Sequence, residues 1–263
     1  MNLGLNGKVA LVAAASRGLG RAVAEELAAE GAALVVCSRN AETINRTASE
    51  IAQATGAEVL ALAADVSQPV EVARLVQSAV ERFSRIDILV TNAGGPPAGP
   101  FESFSREQWQ SATQLTLFSA IELARNVLPG MKERGWGRIL NITSIAVKQP
   151  VENLILSNSL RAAVTGFART LANEVATFGI TVNNIMPGYT RTERVEELSR
   201  MMAEKEGISP ADFVARWKKE IPMRRLGEPR EFAALAAFLV SERASYITGT
   251  SIPVDGGWIR ALM

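Results

Sequence analysis

Not one histidine occurs in the 263 residues, cysteine occurs once and tyrosine twice. Without imidazole the chain cannot run Ser-His-Asp or Cys-His catalysis, ligate zinc through histidine, or use histidine as an acid or base. The single cysteine, Cys37, rules out an intrachain disulfide and a thiolate metal cluster, so nothing points to an oxidising compartment. An excess of charge is missing too. With 28 basic against 27 acidic side chains the formal charge is +1, and neither nucleic acid nor an anionic membrane is expected as a partner. Long apolar runs are absent. The most apolar early stretch, Val9 to Ala15, is too short to span a bilayer and passes directly into Ser16-Arg17-Gly18, so it reads as a buried strand rather than a signal-peptide core. With no targeting segment visible, the cytoplasm is the expected compartment. No repeat, low-complexity tract or Gly/Ser linker interrupts the chain, and residues 1–263 are read as one domain.

What is present is the balance of a globular protein, 48% apolar and 21% charged. Short apolar runs recur at Val9–Ala13, Leu34–Cys37, Val59–Ala63, Ile86–Thr91, Arg138–Ile142, Ile180–Ile185 and Thr250–Val254, each the length of a buried strand. Between them lie helical stripes. One runs through Val72, Leu75, Val76, Ala79, Val80 and Phe83, with Ser67 before Pro69 as its cap. A second uses Leu160, Val164, Phe167, Leu171 and Val175, and a third Phe232, Leu235, Ala236 and Leu239. Alternation of continuous apolar strands with helices predicts an α/β fold with a parallel sheet covered on both faces. The stretch from Thr190 to Arg230 breaks this rhythm: charged and Met-containing, it is expected to form two short helices, as a solvated excursion or as a lid at about 190–226.

The first βα turn reads AAASRGLG at 13–20 and opens a helix expected to run through Glu30. Gly18 and Gly20 let backbone approach a pyrophosphate at the helix N-terminus, with Ser16, Arg17 and Leu19 in the same turn. Dinucleotide sites selective for NAD place a carboxylate after the second strand; here that strand ends Cys37-Ser38-Arg39. Arg39, joined by Arg17, would instead pair with a 2′-phosphate, so NADP(H) is favoured over NAD(H). Two exposed surface arginines are the other reading.

These motifs, with Ala64-Asp65-Val66, Thr91-Asn92-Ala93-Gly94, Asn141-Ile142-Thr143-Ser144, Pro187-Gly188 and Val254-Asp255-Gly256-Gly257, make the chain resemble the short-chain dehydrogenase/reductase family along nearly its whole length. Within that family it looks most like 3-oxoacyl-[acyl-carrier-protein] reductases and similar carbonyl reductases. The resemblance implies a doubly wound, mostly parallel seven-stranded Rossmann-type sheet with helices on both faces, NAD(P) binding, a small-molecule carbonyl or acyl thioester as substrate, and usually a homotetramer, otherwise a homodimer. It places Asp65 and Val66 at the adenine, Asn92, Ala93 and Gly94 under the cofactor, and Pro187, Gly188 and Thr190 near the nicotinamide.

The departures from the family pattern matter more. Its first glycine is Ala14, which adds a methyl to a tight turn. Its catalytic Tyr-x-x-x-Lys falls on Ser157-Asn158-Ser159-Leu160-Arg161, so tyrosine has become Ser157 and lysine Arg161. Its helix asparagine is read at Gln114. Of the usual four catalytic residues only Ser144 remains. A phenol titrating near roughly 10 can be brought toward neutrality by a nearby cation, whereas an aliphatic hydroxyl is far less acidic and a guanidinium gives up no proton. Ser157 and Arg161, one helical turn apart, could hold a ribose or a substrate anion but make a poor proton relay. Tyr189, directly after Pro187-Gly188, and Lys148, four residues past Ser144 with Glu152 close behind, are the candidates to supply a proton; packing under the lid and a solvated charge are their ordinary roles.

Three functions follow. The first is an NADP(H)-dependent oxidoreductase reducing a carbonyl through an atypical site. The second is a non-catalytic NADP(H)-binding homologue, a sensor or a subunit of an oligomer. The third is a cofactor-independent lyase of the halohydrin dehalogenase kind, which ranks last because those enzymes keep the tyrosine and lose the glycine turn. Trp217, Met201, Met202 and Met223 beside Arg224 and Arg225 would suit an acyl chain on an anionic carrier, an amphipathic surface or a subunit contact. Ile252, Pro253, Trp258 and Ile259 suggest a buried edge between subunits.

Overall fold

The first strand of the computed structural model, which describes residues 2–262, is β1 (Val9–Val12), and all four of its residues are buried. It sits between β2 (Ala33–Ser38) and β4 (Ile88–Thr91), parallel to both. With β3 (Val59–Ala63), β5 (Gly137–Ile142), β6 (Ile180–Pro187) and β7 (Ser251–Val254) it forms one sheet in the order β3-β2-β1-β4-β5-β6-β7. Every neighbouring pair is parallel, so the expected seven-stranded doubly wound α/β sheet is observed without an antiparallel edge. The chain moves outward from β1 to β3, then returns to place β4 on the other side of β1. That reversal opens a crevice at the carboxyl ends of β1 and β4, where open α/β sheets bind ligands.

Helices cover both faces. On one side α1 (Gly18–Ala29), α2 (Ala41–Thr55) and α9 (Pro229–Leu239) pack a core that includes Leu27, Ile44, Ile51 and Phe232 against Val12, Val36 and Val90. On the other, α3 (Pro69–Phe83), α5 (Ser119–Arg134) and α6 (Ile155–Val175) bury Leu75, Leu123, Met131 and Leu171 against Leu11, Leu89 and Val182. Because both faces are covered, the strands read as unbroken apolar runs.

Several details differ from the sequence reading; β1, β2, β5, β7 and α1 shift by a single residue at one or both ends. The cap of α3 is Gln68, with Pro69 at its first position; Ser67 instead donates its hydroxyl to Asp65 Oδ1 at 2.8 Å. Val80 lies off the buried face of α3 at 45% exposure. Strand β4 starts at Ile88, because Asp87 turns inward to accept from the Val9 amide at 3.0 Å and from Arg85. Strand β6 continues to Pro187, which can close a strand because the last residue needs no ladder donor.

The charged excursion carries two helices, as expected: α7 (Glu193–Glu206), capped by Thr192, and α8 (Pro210–Glu220), capped by Ser209. Its two ends are tied at a bridge between Thr190 and Gly227. Before α5, α4 (Arg106–Thr113) runs through a wider turn at Gln114–Phe118. No helix among the described residues is long and apolar enough to cross a membrane.

Candidate active site

The turn after β1 is stitched to both neighbouring strands: the Ala13 amide donates to Val90 O at 3.1 Å and the Ala15 amide to Cys37 O at 3.0 Å. Ala14 between them is held at φ 49°, a left-handed conformation costly for a residue with a Cβ. At Gly20 a Cβ would stand 2.5 Å from Ala14 O and 2.7 Å from Asn92 Nδ2, so glycine is required there by contact. Arg17, in the cap position of α1, provides no side-chain cap, and the first turn holds no acidic residue. The N-terminal amides of α1 therefore have no anion of their own, and a pyrophosphate fits them.

The other cofactor candidates stand at or just after the carboxyl ends of the parallel strands. The Ser16 carbonyl accepts from Thr47 Oγ1 at 3.1 Å, and the Leu19 side chain packs against the core. At the end of β2, Ser38 Oγ donates to Asn40 O, and Arg39 is exposed. Arg17 is exposed as well, 3.9 Å from Glu197 of α7. Asp65 uses Oδ1 on the Ser67 amide and hydroxyl, and Val66 is buried. Asn92 donates to Ala14 O at 3.3 Å; Ala93 is half-buried and Gly94 exposed. Pro187-Gly188 and Asp255 meet across the sheet edge: the Gly188 amide donates to Val254 O at 3.0 Å, and a Cβ on Gly188 would lie 2.7 Å from Asp255 Cα. Thr190 is buried beside them.

At the end of β5, Ser144 Oγ accepts from the Ala146 amide at 3.1 Å, which leaves its own proton free to donate. Helix α6 enters just behind, with Ser157 half-buried in its first turn. One turn on, Arg161 Nη1 donates to Ile142 O and Thr143 O, both at 2.9 Å, and pins α6 to the end of β5. Burial, and secondarily the repulsion of Arg194, lowers its pKa to about 10.

Arg161 lines a small cavity with Thr91, Asn92, Thr116 and Thr143. Thr116 Oγ1 is buried there without a hydrogen-bond partner among the described residues. This corrects the reading of Gln114 as the helix residue of the site, since the residue lining the cavity is Thr116. Residues two positions apart on a helix point to roughly opposite sides, so Gln114 cannot share the face of Thr116. The signal was present as a small-residue stripe at Ala112, Thr116 and Ala120, which share the buried face at i, i+4 and i+8.

The proton candidates separate. Tyr189 stacks on Trp217 with centroids 4.4 Å apart and meets Trp258 edge-on at 5.8 Å. Burial first, and Glu220 second, push its phenol well above the ordinary tyrosine range, the opposite of what a relay needs. Lys148 and Glu152 are exposed on the loop between Ser144 and α6. Of the residues expected to take an anionic carrier, Arg225 is held by both Glu231 oxygens at 2.7 and 2.6 Å, and Arg224 donates to Lys219 O. Trp217 is buried, while Met201 and Met223 are exposed. Trp258 packs within its own chain against Ile221 and Met186, and Pro253 is exposed. Arg194 did not stand out in the sequence. From the first turn of α7 its Nη2 donates to Pro96 O at 3.0 Å, and its Nε would lie 3.0 Å from a Cβ on Gly95.

Comparison with known proteins agrees with this architecture. A family model described as enoyl-(acyl carrier protein) reductase matches residues 13–259. A D-beta-hydroxybutyrate dehydrogenase of Rhizobium meliloti (strain 1021) is 34% identical over 255 residues, covering 95% of this chain and 98% of that protein. The 3-oxoacyl-[acyl-carrier-protein] reductase of Vibrio cholerae is also 34% identical, over 97% of this chain and 98% of the relative. The crystal structure of L-sorbose reductase from Gluconobacter frateurii, complexed with NADPH and L-sorbose, superposes with a TM-score of 0.95 at 35% identity, covering both chains completely.

Proposed function

The chain belongs to the short-chain dehydrogenase/reductase family, and on that basis we propose that it is an NADP(H)-dependent oxidoreductase that reduces a carbonyl compound, of 3-oxoacyl or similar type, through an atypical active site. The observation that carries this reading is the uncapped α1 N-terminus at the crevice between β1 and β4, with Gly20 closed under Asn92 and no acid at the end of β2. Arg39 and Arg17 favour the 2′-phosphate, in keeping with the NADPH of the L-sorbose reductase complex. A dinucleotide held there supplies hydride, and the protein has to supply orientation and a proton.

Ser144 is assigned to donate to the substrate oxygen, since its hydroxyl already accepts from Ala146. Arg161 fixes α6 against β5, and Ser157 offers a second hydroxyl one turn earlier on the same helix. For the proton, Lys148 is favoured over Tyr189, whose phenol is locked in an aromatic stack. The segment at 190–226 serves as the lid, the whole chain is one domain, and a dimer or tetramer of it completes the reading. A second reading, binding without turnover, is favoured by one observation: Ser157 and Arg161 leave no group of suitable acidity at the position of the family tyrosine.

Fluorescence titration with NADPH and NADH, repeated on Arg39→Ala, tests the cofactor assignment. NADPH is expected to bind more tightly than NADH, with the preference falling by about tenfold in the variant. Failure of both nucleotides to bind would overturn both readings. Turnover of a carbonyl panel by wild type, Lys148→Ala and Tyr189→Phe then separates them: tight NADPH binding with no oxidation anywhere in the panel leaves the binding protein.

A further inference from the structure

We infer that two lid carboxylates, Glu193 and Glu197 of α7, compete with the nucleotide's phosphates for the α1 N-terminus and Arg17, and that Glu197 thereby sets how strongly NADP(H) is preferred to NAD(H). The inference rests on the NADP(H) reading and adds two residues to it. Glu193 and Glu197 stand one helical turn apart and share a face of α7. That face meets the glycine turn. Glu197 Oε1 is 3.9 Å from Arg17 Nη1, and Glu193 Oε2 is 3.8 Å from where a Cβ of Gly18 would stand. Beside these contacts lies a cleft of about 330 Å³, lined by Gly18, Arg21 and Ala22 of α1 and by Thr192 and Glu193 at the start of α7.

Two ties hold this part of the lid in place without drawing on the acids. Arg194, next in the chain, donates Nη2 to Pro96 O at 3.0 Å on the loop after β4, and Thr190 bridges to Gly227 where the excursion ends. The other cations around the acids are taken. Glu228 pairs with Arg191, Glu25 and Glu50 with Arg21, and Glu196 with Arg200. Among the described residues Glu193 has no cation within ion-pair distance, and Glu197 has Arg17 alone. Like charges one turn apart on a helix repel, and Arg17 relieves that repulsion. Glu193 thus sets a negative charge beside the amides read as the pyrophosphate seat, while Glu197 holds the guanidinium read as a partner of the 2′-phosphate. The two acids therefore bear on different parts of the nucleotide: both cofactors carry the pyrophosphate, and only NADP(H) carries the 2′-phosphate. Arg17 and Glu197 are 68% and 46% exposed, so their pair alters affinity a few-fold rather than by orders of magnitude.

Calorimetric titration of NADPH and NADH tests this in wild type, Glu193→Gln, Glu196→Gln, Glu197→Gln, Arg17→Gln and the double variant Arg17→Gln/Glu197→Gln. All four side chains are exposed, so their replacement is compatible with folding. Glu197→Gln is expected to tighten NADPH about threefold and to leave NADH within about 1.5-fold, whereas Glu193→Gln tightens both about threefold. Glu196→Gln removes the same charge one position away and is expected to keep both affinities within about 1.5-fold. The gain from Glu197→Gln should vanish where Arg17 is already replaced. Absence of either gain overturns the inference. So does an equal gain in Glu196→Gln, an equal gain for NADH in Glu197→Gln, or a gain that persists without Arg17. If neither nucleotide binds any of these proteins, the NADP(H) reading falls and the competition falls with it. Binding of NADPH that stays the same across the series leaves that reading standing and overturns the inference alone.

Discussion

Asn92 Nδ2 donates to Ala14 O across 3.3 Å, and the two atoms close over Gly20, where a Cβ would stand 2.7 and 2.5 Å from them. This single contact ties the end of β4 to the glycine turn of β1 and so shapes the floor of the crevice. Gly20→Ala is therefore expected to force the turn open, with a stability loss of about 1–3 kcal/mol and loss of NADPH binding. Urea unfolding and NADPH fluorescence check it together; unchanged nucleotide affinity would mean that this contact does not shape the site.

Ala14 occupies the opposite situation, a side chain where the backbone favours none. Left-handed backbone costs a residue with a Cβ about 1–2 kcal/mol, while glycine gives back about 0.5–1 kcal/mol in lost backbone entropy. Ala14→Gly should raise stability by about 0.5–1 kcal/mol, read as a higher urea midpoint. A lower midpoint would show that the methyl packs well enough to outweigh the strain.

Restoring the acid is the direct test of what the site lacks. Ser157→Tyr combined with Arg161→Lys is expected to raise NADPH-dependent carbonyl reduction by on the order of 10²-fold, the usual contribution of a positioned acid–base group. Ser157→Tyr alone should gain less, because Arg161 is committed to the Ile142 and Thr143 carbonyls. If neither variant gains over wild type, proton supply is not what limits turnover.

Cys37 gives a pH signature of the core. Burial between β1 and β3 pushes its thiol up to about 11, so the folded chain keeps a proton that the unfolded chain releases near roughly 9. Its contribution is fully present below about pH 9 and is lost as pH rises toward 11, by on the order of 2–3 kcal/mol. Urea unfolding of wild type and Cys37→Ala from about pH 8 to about pH 11 isolates the thiol. Parallel profiles would overturn the assignment, and native Cys37 should also resist a thiol reagent until the chain unfolds.

The strands were legible because most are short apolar runs covered by helices on both faces, and their limits differ from the sequence reading by at most two residues at either end. The end of β4 and the glycine turn were legible as motifs, since their residue types meet backbone requirements that few others satisfy. Where the reading slipped, a neighbour decided. Val9 captures Asp87 and delays β4, Asp65 takes the Ser67 hydroxyl away from α3, and Thr116, in line with buried Ala112 and Ala120, rather than Gln114 lines the cavity.

From the sequence alone come the parallel α/β sheet, the glycine turn at its first strand, and the run Ser157-Asn158-Ser159-Leu160-Arg161, whose resemblance to the family pattern led to the expectation of an atypical site. All of these are local: periodicity, turn chemistry and residue identity along one stretch of chain. Only the tertiary structure shows Tyr189 stacked on Trp217, Pro187-Gly188 seated on Asp255, and Arg194 of α7 hydrogen-bonded to Pro96 O. Those pairings join residues far apart in the chain, and what each group can do depends on the burial and charge that its distant neighbours impose.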